Sequence, residues 1–283
     1  MNFQDMVRQL ECFWREYGCS VLFPYSSELG AGTFHPATSM AVLSGKKNMV
    51  AYVQPVIRPC DGRYGDNQNR LYQHHQYQVI VQPSTPTLKD DYLLSLESIG
   101  IDRHNFDIRF LEDDWENPSI GAFGLGWEVC CNGMEITQFT YMQQVGGMSC
   151  PAIPGEIAYG LERIAMVLQG VDNVYDLEWD RNGVTYGDIF KNNEREFSAL
   201  AFECFDIDFL LNSFENNEMM CLRMVENGLP LAGYDFCIKA SHLLNLLESR
   251  GVIGVNERAS YIFRVRKMVN MCCESYVSLY RVT

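Results

Sequence analysis

The segment GWEVCCNGMEITQFTYMQQ places Asn132-Gly133 between two runs in which apolar and polar side chains alternate. Asn-Gly is the dipeptide favoured by two-residue hairpin turns, because both turn positions take a positive φ. The segment therefore predicts a β-hairpin. Other short strand-like runs precede it, and together they predict an antiparallel sheet; these runs occupy residues 48–57, 76–83 and 106–113.

Helical periodicity marks the two ends of the chain. Apolar side chains recur at helical spacing from Phe3 to Tyr17 and stop before Gly18, which predicts an amphipathic N-terminal helix. Beyond residue 190 the pattern predicts three long helices, over residues 208–228, 232–251 and 256–280. We therefore predict an α+β fold, with a sheet-containing domain in residues 1–190 and an all-α C-terminal domain in residues 191–283.

Composition restricts the classes of function. The formal net charge of −14 argues against a surface that wraps nucleic acid, because phosphate neutralisation needs clustered lysines and arginines. No basic start is followed by an apolar run, and no stretch of about eighteen apolar residues occurs, so we expect neither export nor membrane insertion. The eleven cysteines lack zinc-ligand spacing, and we expect free thiols in a cytoplasmic protein.

The loop segment RPCDGRYGDNQNR lies between two strand-like runs and carries Arg58, Arg63 and Arg70. Its glycines and asparagines allow the backbone to turn, so that the three arginines can converge. Guanidinium groups bind phosphate oxygens in a forked geometry, which makes the loop a candidate phosphate site. The alternative is a solvated surface loop whose arginines pair with Asp61 and Asp66.

Two further features suggest a nucleotide. Glu128 and Glu135 lie on the two strands of the predicted hairpin, where facing carboxylates repel each other unless a cation such as nucleotide-bound Mg²⁺ bridges them. The alternative is that each carboxylate pairs with its own lysine or arginine. Arg163 lies in the first turn of a predicted helix, in YGLERIAM, from where its side chain can reach back over the sheet.

In this order, the segments GAGTFHPAT, RPCDGRYGDNQNRL, GLGWEV, NGMEITQFTY, QQVGG and YGLERIAM resemble the α subunits of bacterial heterotetrameric glycyl-tRNA synthetase. The resemblance covers essentially the whole chain, including HLLNLLESRG in the helical region. It implies a class II aminoacyl-tRNA synthetase fold, an antiparallel sheet flanked by helices, in which residues 1–190 form the catalytic domain. It also implies that ATP activates glycine to glycyl-adenylate, which then reacts with the 3′ end of tRNA(Gly).

The resemblance assigns the three class II motifs. The N-terminal helix and the residues to about position 40 take the place of motif 1, which forms a dimer interface. The hairpin from Tyr52 to Val81 is motif 2, and YGLER is motif 3. In this scheme Arg58 contacts the α-phosphate and the activated carboxylate, and Arg163 holds the γ-phosphate.

Other ATP contacts follow from the same resemblance. Arg63 and Arg70 are expected near the adenosine, the outer phosphates or the tRNA acceptor end. For adenine stacking, Tyr77 fits one register of the returning strand, whereas Arg70, His74 and Gln76 fit the spacing of related synthetases. Glu128 and Glu135 are expected to hold Mg²⁺ with ATP. Cys60 stands where motif 2 usually has an acid.

Glycine offers no side chain to bind, so its affinity must come from its ammonium and carboxylate groups. We expect Glu156 and Gln78 to receive the ammonium, Trp115 to form a wall, and Thr33 to lie beside the carboxylate or a phosphate. Each of these four side chains could instead be purely structural.

The resemblance also implies partners. A larger β subunit supplies most of the tRNA contacts in an α2β2 enzyme that contains an α–α dimer. Two alternatives remain: a tRNA-independent adenylate-forming ligase with the class II fold, and a catalytically silent regulatory paralogue. Retention of the four charged residues disfavours the silent paralogue; these are Arg58, Glu128, Glu135 and Arg163.

Overall fold

An eight-stranded sheet lies at the centre of the chain, whose residues 1–281 are described by a computed structural model. Its strands are β1 (Ser20–Val21), β2 (Asn48–Ile57), β3 (Gln73–Gln82), β4 (Ile108–Asn117), β5 (Ala122–Cys131), β6 (Met134–Val145), β7 (Met148–Ser149) and β8 (Gly155–Gly160). The spatial order is β1-β2-β3-β8-β6-β5-β4, with β7 paired to β6. Only the β1–β2 pair is parallel, so the predicted antiparallel sheet is confirmed for the remaining pairs.

Helices cover both faces of this sheet. They are α1 (Phe3–Tyr17), α2 (Pro36–Ser39), α3 (Leu88–Ser98), α4 (Leu161–Gln169), α5 (Tyr186–Ala199), α6 (Ile207–Glu226), α7 (Pro230–Ser249) and α8 (Val255–Tyr280). One core joins α1, α3 and α4 to one face of the sheet. A second core joins the opposite face to α7 and α8, and includes Tyr52, Ile80 and Met142 from the strands.

The two predicted hairpins are present. Asn132 and Gly133, with φ of 49° and 85°, form the two-residue turn between β5 and β6. The strands β2 and β3 pair along ten residues each, from Asn48 opposite Gln82 to Ile57 opposite Gln73. Their connection, residues 58–72, is here named the arginine loop. The sheet thus holds both ends of this loop in a fixed register.

A buried polar contact links α1 to the sheet. The indole Nε1 of Trp14 donates to the hydroxyl of Tyr159 on β8 at 3.1 Å, and that hydroxyl also lies 2.6 Å from Oγ of Ser95 on α3. All three side chains are fully buried. The predicted helix α1 is confirmed, and it ends as expected at Gly18, whose φ is 111°.

The C-terminal helices α6, α7 and α8 confirm the predicted all-α region. The division at residue 190 stays a prediction, and α5 runs across that position. The cysteines are free thiols as expected, and eight of them are buried. Within residues 1–281, no helix combines the length and the apolar character needed to cross a membrane.

Candidate active site

A cavity of about 460 Å³ opens over one face of the sheet. Nine of the predicted site residues line it: Thr33, Arg58, Arg70, His74, Gln76, Trp115, Glu135, Glu156 and Arg163. They come from five separate parts of the chain, and the antiparallel pairing of β3, β8 and β6 brings three of these parts together. The structure therefore gathers most of the predicted residues around one space, while the roles proposed for them remain predictions.

Arg163 and Glu135 form an ion pair at the cavity wall. Nη1 of Arg163, in the first turn of α4, donates to Oε2 of Glu135 at 2.6 Å and to its backbone carbonyl at 3.1 Å. Both side chains remain partly exposed, so the pair contributes little to stability. The two contacts with Glu135 hold the guanidinium at the cavity.

Arg58 lies at the start of the arginine loop, where its Nε donates to the carbonyl of Gly30 at 3.1 Å. The surrounding protein lowers the pKa of its guanidinium, and nearby Arg163 acts in the same direction, while Asp61 and Glu135 oppose this. Two like charges near each other are costly unless an anion neutralises them. Asp61 and Glu135 offset part of this cost, and the phosphates of a bound nucleotide would offset more of it.

The other two loop arginines differ in placement. Arg70 is exposed, lines the cavity and lies 3.9 Å from Asp61, so the predicted alternative of pairing with a loop aspartate holds for this residue. Arg63 does not line the cavity. Its Nη1 instead donates to the backbone carbonyls of Cys60 and Gly62, at 3.0 and 2.6 Å. Arg63 therefore shapes the loop in this structure.

Glu156 on β8 is a buried carboxylate at the cavity. Its Oε1 accepts hydrogen bonds from the Thr33 hydroxyl at 2.5 Å and from Nε2 of Gln78. Burial raises the pKa of Glu156 to about 7, although both hydrogen bonds act to lower it. Among the described residues it has no cationic partner, so a bound ammonium group would relieve the cost of its charge.

His74 and Gln76 project from β3 into the cavity. Burial lowers the pKa of His74 to about 3, with further lowering by Arg58, so its ring is neutral near pH 7. Oε1 of Gln76 accepts from the backbone N–H of Gly32 at 2.8 Å. A Cβ atom on Gly32 would approach Oε1 of Gln78 to 2.6 Å, which explains the need for glycine at this close contact.

One predicted contact, that of Tyr77, is corrected by the alternation of side chains on β3. Tyr77 faces the opposite side of the sheet from Gln76, because successive side chains of a strand point to opposite faces. It packs edge-on against Tyr159 with ring centroids 5.9 Å apart, inside the core below α1. Tyr77 therefore cannot contact ATP in the cavity. Gln78 lies on the same face as Gln76; it is fully buried behind the cavity lining, where its Nε2 donates to Glu156.

The prediction that Glu128 and Glu135 face each other across the hairpin is wrong, because the two residues are not paired in the β5–β6 register. A shift in the pairing between Val129 and Cys130 places Glu135 opposite Cys130, while Glu128 lies opposite Gln138 and outside the cavity lining. Both carboxylates still lie near the Cys130 thiol: burial raises its pKa, and the two glutamates raise it further. Glu135 instead pairs with Arg163, in accordance with the alternative reading of that residue.

The cavity also contains residues that the sequence did not single out as ligands, chiefly Glu162. Its Oε1 accepts from the backbone N–H of His75 at 2.8 Å, lies 2.7 Å from Nδ1 of the same residue, and accepts from the Tyr186 hydroxyl at 3.0 Å. Burial raises the pKa of Glu162, but the contacts with His75 outweigh this and lower it overall. The sequence feature that could have indicated a role for Glu162 at the cavity is its position directly before Arg163 in YGLER.

The cavity offers one carboxylate, that of Glu135, for a magnesium ion that accompanies ATP. Mg²⁺ is commonly held by one or two carboxylates together with substrate phosphates and waters. Glu135 is a partly exposed carboxylate at the cavity and could supply one such ligand. Residues 1–281 contain no group of three or more His, Cys, Asp or Glu side chains arranged to bind a metal without a substrate.

A largely antiparallel sheet with one arginine from a hairpin loop and another from the helix after β8 agrees with the class II aminoacyl-tRNA synthetase fold that the resemblance implies. The chain belongs to the glycyl-tRNA synthetase alpha subunit family, whose model matches residues 3–281. This membership makes it a ligase and confirms the resemblance read from the sequence. Nothing in the comparisons favours a tRNA-independent ligase or a silent paralogue.

Two relatives are similar along the whole chain. Both are glycine–tRNA ligase alpha subunits of Rickettsia bellii, from strains OSU 85-389 and RML369-C, and each is 48% identical over 283 residues, covering 99% of this chain and 98% of the relative. Among solved structures, the pyrrolysyl-tRNA synthetase PylSc of Desulfitobacterium hafniense matches with a TM-score of 0.43 and 12% identity. That match covers 65% of this chain and 76% of the other.

Proposed function

We propose that the cavity binds ATP and glycine together and joins them into glycyl-adenylate, which the chain then transfers to the 3′ end of tRNA(Gly). The observation that carries this proposal is the presence, in the same cavity, of Arg58, Arg70 and Arg163 with the buried carboxylate Glu156. The arginines suit a polyphosphate, and the carboxylate suits an ammonium group.

Activation needs no nucleophile from the protein. A carboxylate oxygen of glycine attacks the α-phosphorus of ATP, and pyrophosphate leaves. Arg58 is proposed to contact the α-phosphate and Arg163 the γ-phosphate, so that fixed positive charge stabilises the charge that develops during the transfer. The ion pair with Glu135 keeps Arg163 oriented before ATP arrives, which reduces the reorganisation needed on binding.

Glycine recognition is assigned to the cluster around Glu156. Its ionised carboxylate is proposed to bind the ammonium, with Gln78 and Thr33 holding the carboxylate in place. Trp115 is proposed as the wall that excludes larger amino acids. A steric limit of this kind rejects side chains without an editing step.

The rest of the ATP site is proposed on β3 and the arginine loop. Neutral His74, Gln76 and Arg70 are the candidates for the adenosine, and Glu135 is the candidate carboxylate for Mg²⁺. Magnesium would supply a further positive charge on the phosphates. Glu128 lies outside the cavity lining and is proposed to contact that ion only through a water molecule.

For transfer, we infer a larger β subunit as partner in an α2β2 assembly with an α–α dimer at its centre, located in the cytoplasm. The net charge of −14 supports a division in which this chain contacts only the acceptor end of tRNA, near Arg63 and Arg70. Single-turnover charging of tRNA(Gly) by the chain alone and with the β subunit tests this. A much faster reaction with the β subunit is expected, and equal rates would contradict it. Adenylate formation without charging in either mixture would favour a tRNA-independent ligase.

A further inference from the structure

The arginine loop, residues 58–72, is fixed from outside the cavity by helix α5. Oε2 of Glu194 accepts a hydrogen bond from the backbone N–H of Tyr72 at 2.8 Å, and its Oε1 accepts from that of Gln73 at 2.9 Å. The Glu194 side chain is only 3% exposed. Both oxygens of a buried carboxylate are therefore used to hold two consecutive backbone amides where the loop enters β3.

One turn further along α5, Ser198 holds the middle of the same loop. Its Oγ accepts from the backbone N–H of Tyr64 at 3.0 Å, and the side chain is fully buried. The contact requires a close approach of the backbone, since a Cβ atom on Gly62 would lie 2.7 Å from this Oγ. Glycine at position 62 thus allows the loop to rest directly on the helix.

The loop conformation at this contact is strained. Tyr64 has a φ of 57°, a left-handed conformation that is unfavourable for residues with a side chain, and Gly65 follows with a φ of 78°. Such conformations persist only where the surrounding structure enforces them, and they cluster at functional sites. The Tyr64 hydroxyl also donates to Glu203 at 2.7 Å, in the π-helical segment Leu200–Cys204 that follows α5.

These contacts reach the cavity through the base of the loop. The backbone N–H of Arg58 donates to the carbonyl of Tyr72 at 2.8 Å, so the residue held by Glu194 is also the backbone partner of Arg58. Arg58 and Arg70, near the two ends of the loop, both line the cavity. A small displacement of Tyr72 would therefore move the guanidinium groups relative to a bound nucleotide.

We propose that helix α5 positions the arginine loop for ATP, with Glu194 and Ser198 as positioning residues that act through the loop backbone and do not contact the substrate. This inference rests on the proposed function, because it assigns the phosphates of ATP to the loop arginines. Under this proposal α5, which lies outside the sheet, contributes to the activation step by holding the loop. Because the loop is already ordered, ATP binding does not have to pay the entropy cost of ordering it, and the affinity for ATP is higher.

Two measurements on the whole chain test the proposal, using Glu194→Gln as the main variant. The amide that replaces the carboxylate has a single acceptor oxygen, so one of the two backbone N–H groups loses its partner. Hydrogen–deuterium exchange of peptides covering residues 62–74 is expected to become faster. In glycine-dependent pyrophosphate exchange, the KM for ATP is expected to rise roughly tenfold, because the loop loses one hydrogen bond to a charged group. The KM for glycine is expected to stay within about twofold of wild type.

Glu196→Gln is the matched control, since Glu196 is exposed on the same helix and its side chain makes no hydrogen bond within the described chain; it should match the wild type in both measurements. Ser198→Ala is the milder variant if Glu194→Gln does not fold, with a KM for ATP raised roughly threefold. Faster amide exchange with an unchanged KM for ATP would overturn the proposal, as would unchanged amide exchange. A wild-type chain without glycine-dependent activity would instead overturn the proposed function, and the amide exchange would still decide whether α5 fixes the loop.

Discussion

Thr33 and Glu156 share a 2.5 Å hydrogen bond although 123 residues separate them in the chain. Thr33 belongs to the short helical turn before α2, and Glu156 to β8, so the contact joins the N-terminal segment to the centre of the sheet. It holds a nearly buried carboxylate at the cavity, and burial raises the pKa of this group to about 7. The behaviour of Glu156 with pH is therefore a direct probe of the site.

The first prediction concerns glycine binding between pH 6 and 8. Glu156 has a pKa of about 7 in the folded chain, raised by burial from its ordinary value, so it is largely neutral at pH 6 and loses its attraction for an ammonium group. We expect the KM for glycine in pyrophosphate exchange to be about tenfold higher at pH 6 than at pH 8, as the ionised fraction falls. The ammonium of glycine stays protonated throughout this range.

Controls separate this effect from the titration of ATP itself. Glu156→Gln should raise the KM for glycine and remove most of its dependence on pH, whereas the exposed Glu116→Gln should behave like the wild type. For the chain without ligand, the raised pKa means that Glu156 contributes stability that is complete below its ordinary pKa and is lost as pH rises through 7. A KM for glycine with the same pH profile in wild type and Glu156→Gln would refute the assignment.

The second prediction concerns Arg163. Arg163→Ala should lower kcat/KM for ATP roughly ten- to hundredfold or more, because it removes a charge-assisted contact of about 1.5 to 3 kcal/mol to a phosphate. The fold should persist, since the ion pair with Glu135 is partly exposed. Arg181→Ala is the control, because Arg181 forms a comparable surface pair with Asp5 at 2.9 Å. Near wild-type exchange by Arg163→Ala would exclude the motif 3 role.

The third prediction concerns magnesium. Glu135→Gln should raise the Mg²⁺ concentration needed for half-maximal pyrophosphate exchange several-fold, since it removes the cavity carboxylate proposed for the ion. Titration of Mg²⁺ at fixed ATP measures this. Glu97→Gln serves as the control because Glu97 forms a surface pair with Arg103 away from the cavity. An unchanged magnesium requirement in Glu135→Gln would mean that Glu135 acts only on Arg163.

The fourth prediction tests the contact between α1 and the sheet. Tyr159→Phe leaves the buried Nε1–H of Trp14 without its acceptor, which should lower the free energy of unfolding by about 1–3 kcal/mol. Urea denaturation followed by circular dichroism measures the change. Tyr141→Phe should alter stability by less than about 0.5 kcal/mol, because the Tyr141 hydroxyl makes no hydrogen bond within residues 1–281. Equal stability of the two variants would contradict the role given to Tyr159.

Local patterns predicted the local structure of this chain well. Helix α1 and its end at Gly18 followed from apolar spacing, and the β5–β6 hairpin followed from Asn132-Gly133. These features depend on residues within a few positions of each other. Nine of the residues that the resemblance named, Arg58 and Arg163 among them, line one cavity, and their roles stay predictions.

Contacts between distant parts of the chain were not predictable in the same way. Tyr77 was a candidate for adenine until the register of β3 placed Gln76 toward the cavity, and a change of one position reverses the face of every side chain on a strand. The contact between Glu194 and the arginine loop joins residues about 120 positions apart, and no local pattern marks it. Such pairs are set by tertiary packing.

The central claim is that this cavity activates glycine. Pyrophosphate exchange into ATP, measured separately with glycine, alanine, serine and no amino acid, tests it most directly, with the β subunit present and absent. We predict exchange that depends on glycine and is lower by roughly two orders of magnitude with alanine or serine, because the cavity has to exclude the added methyl or hydroxymethyl group. Exchange with alanine or serine at the rate seen with glycine, or no exchange with glycine in either mixture, would contradict the account.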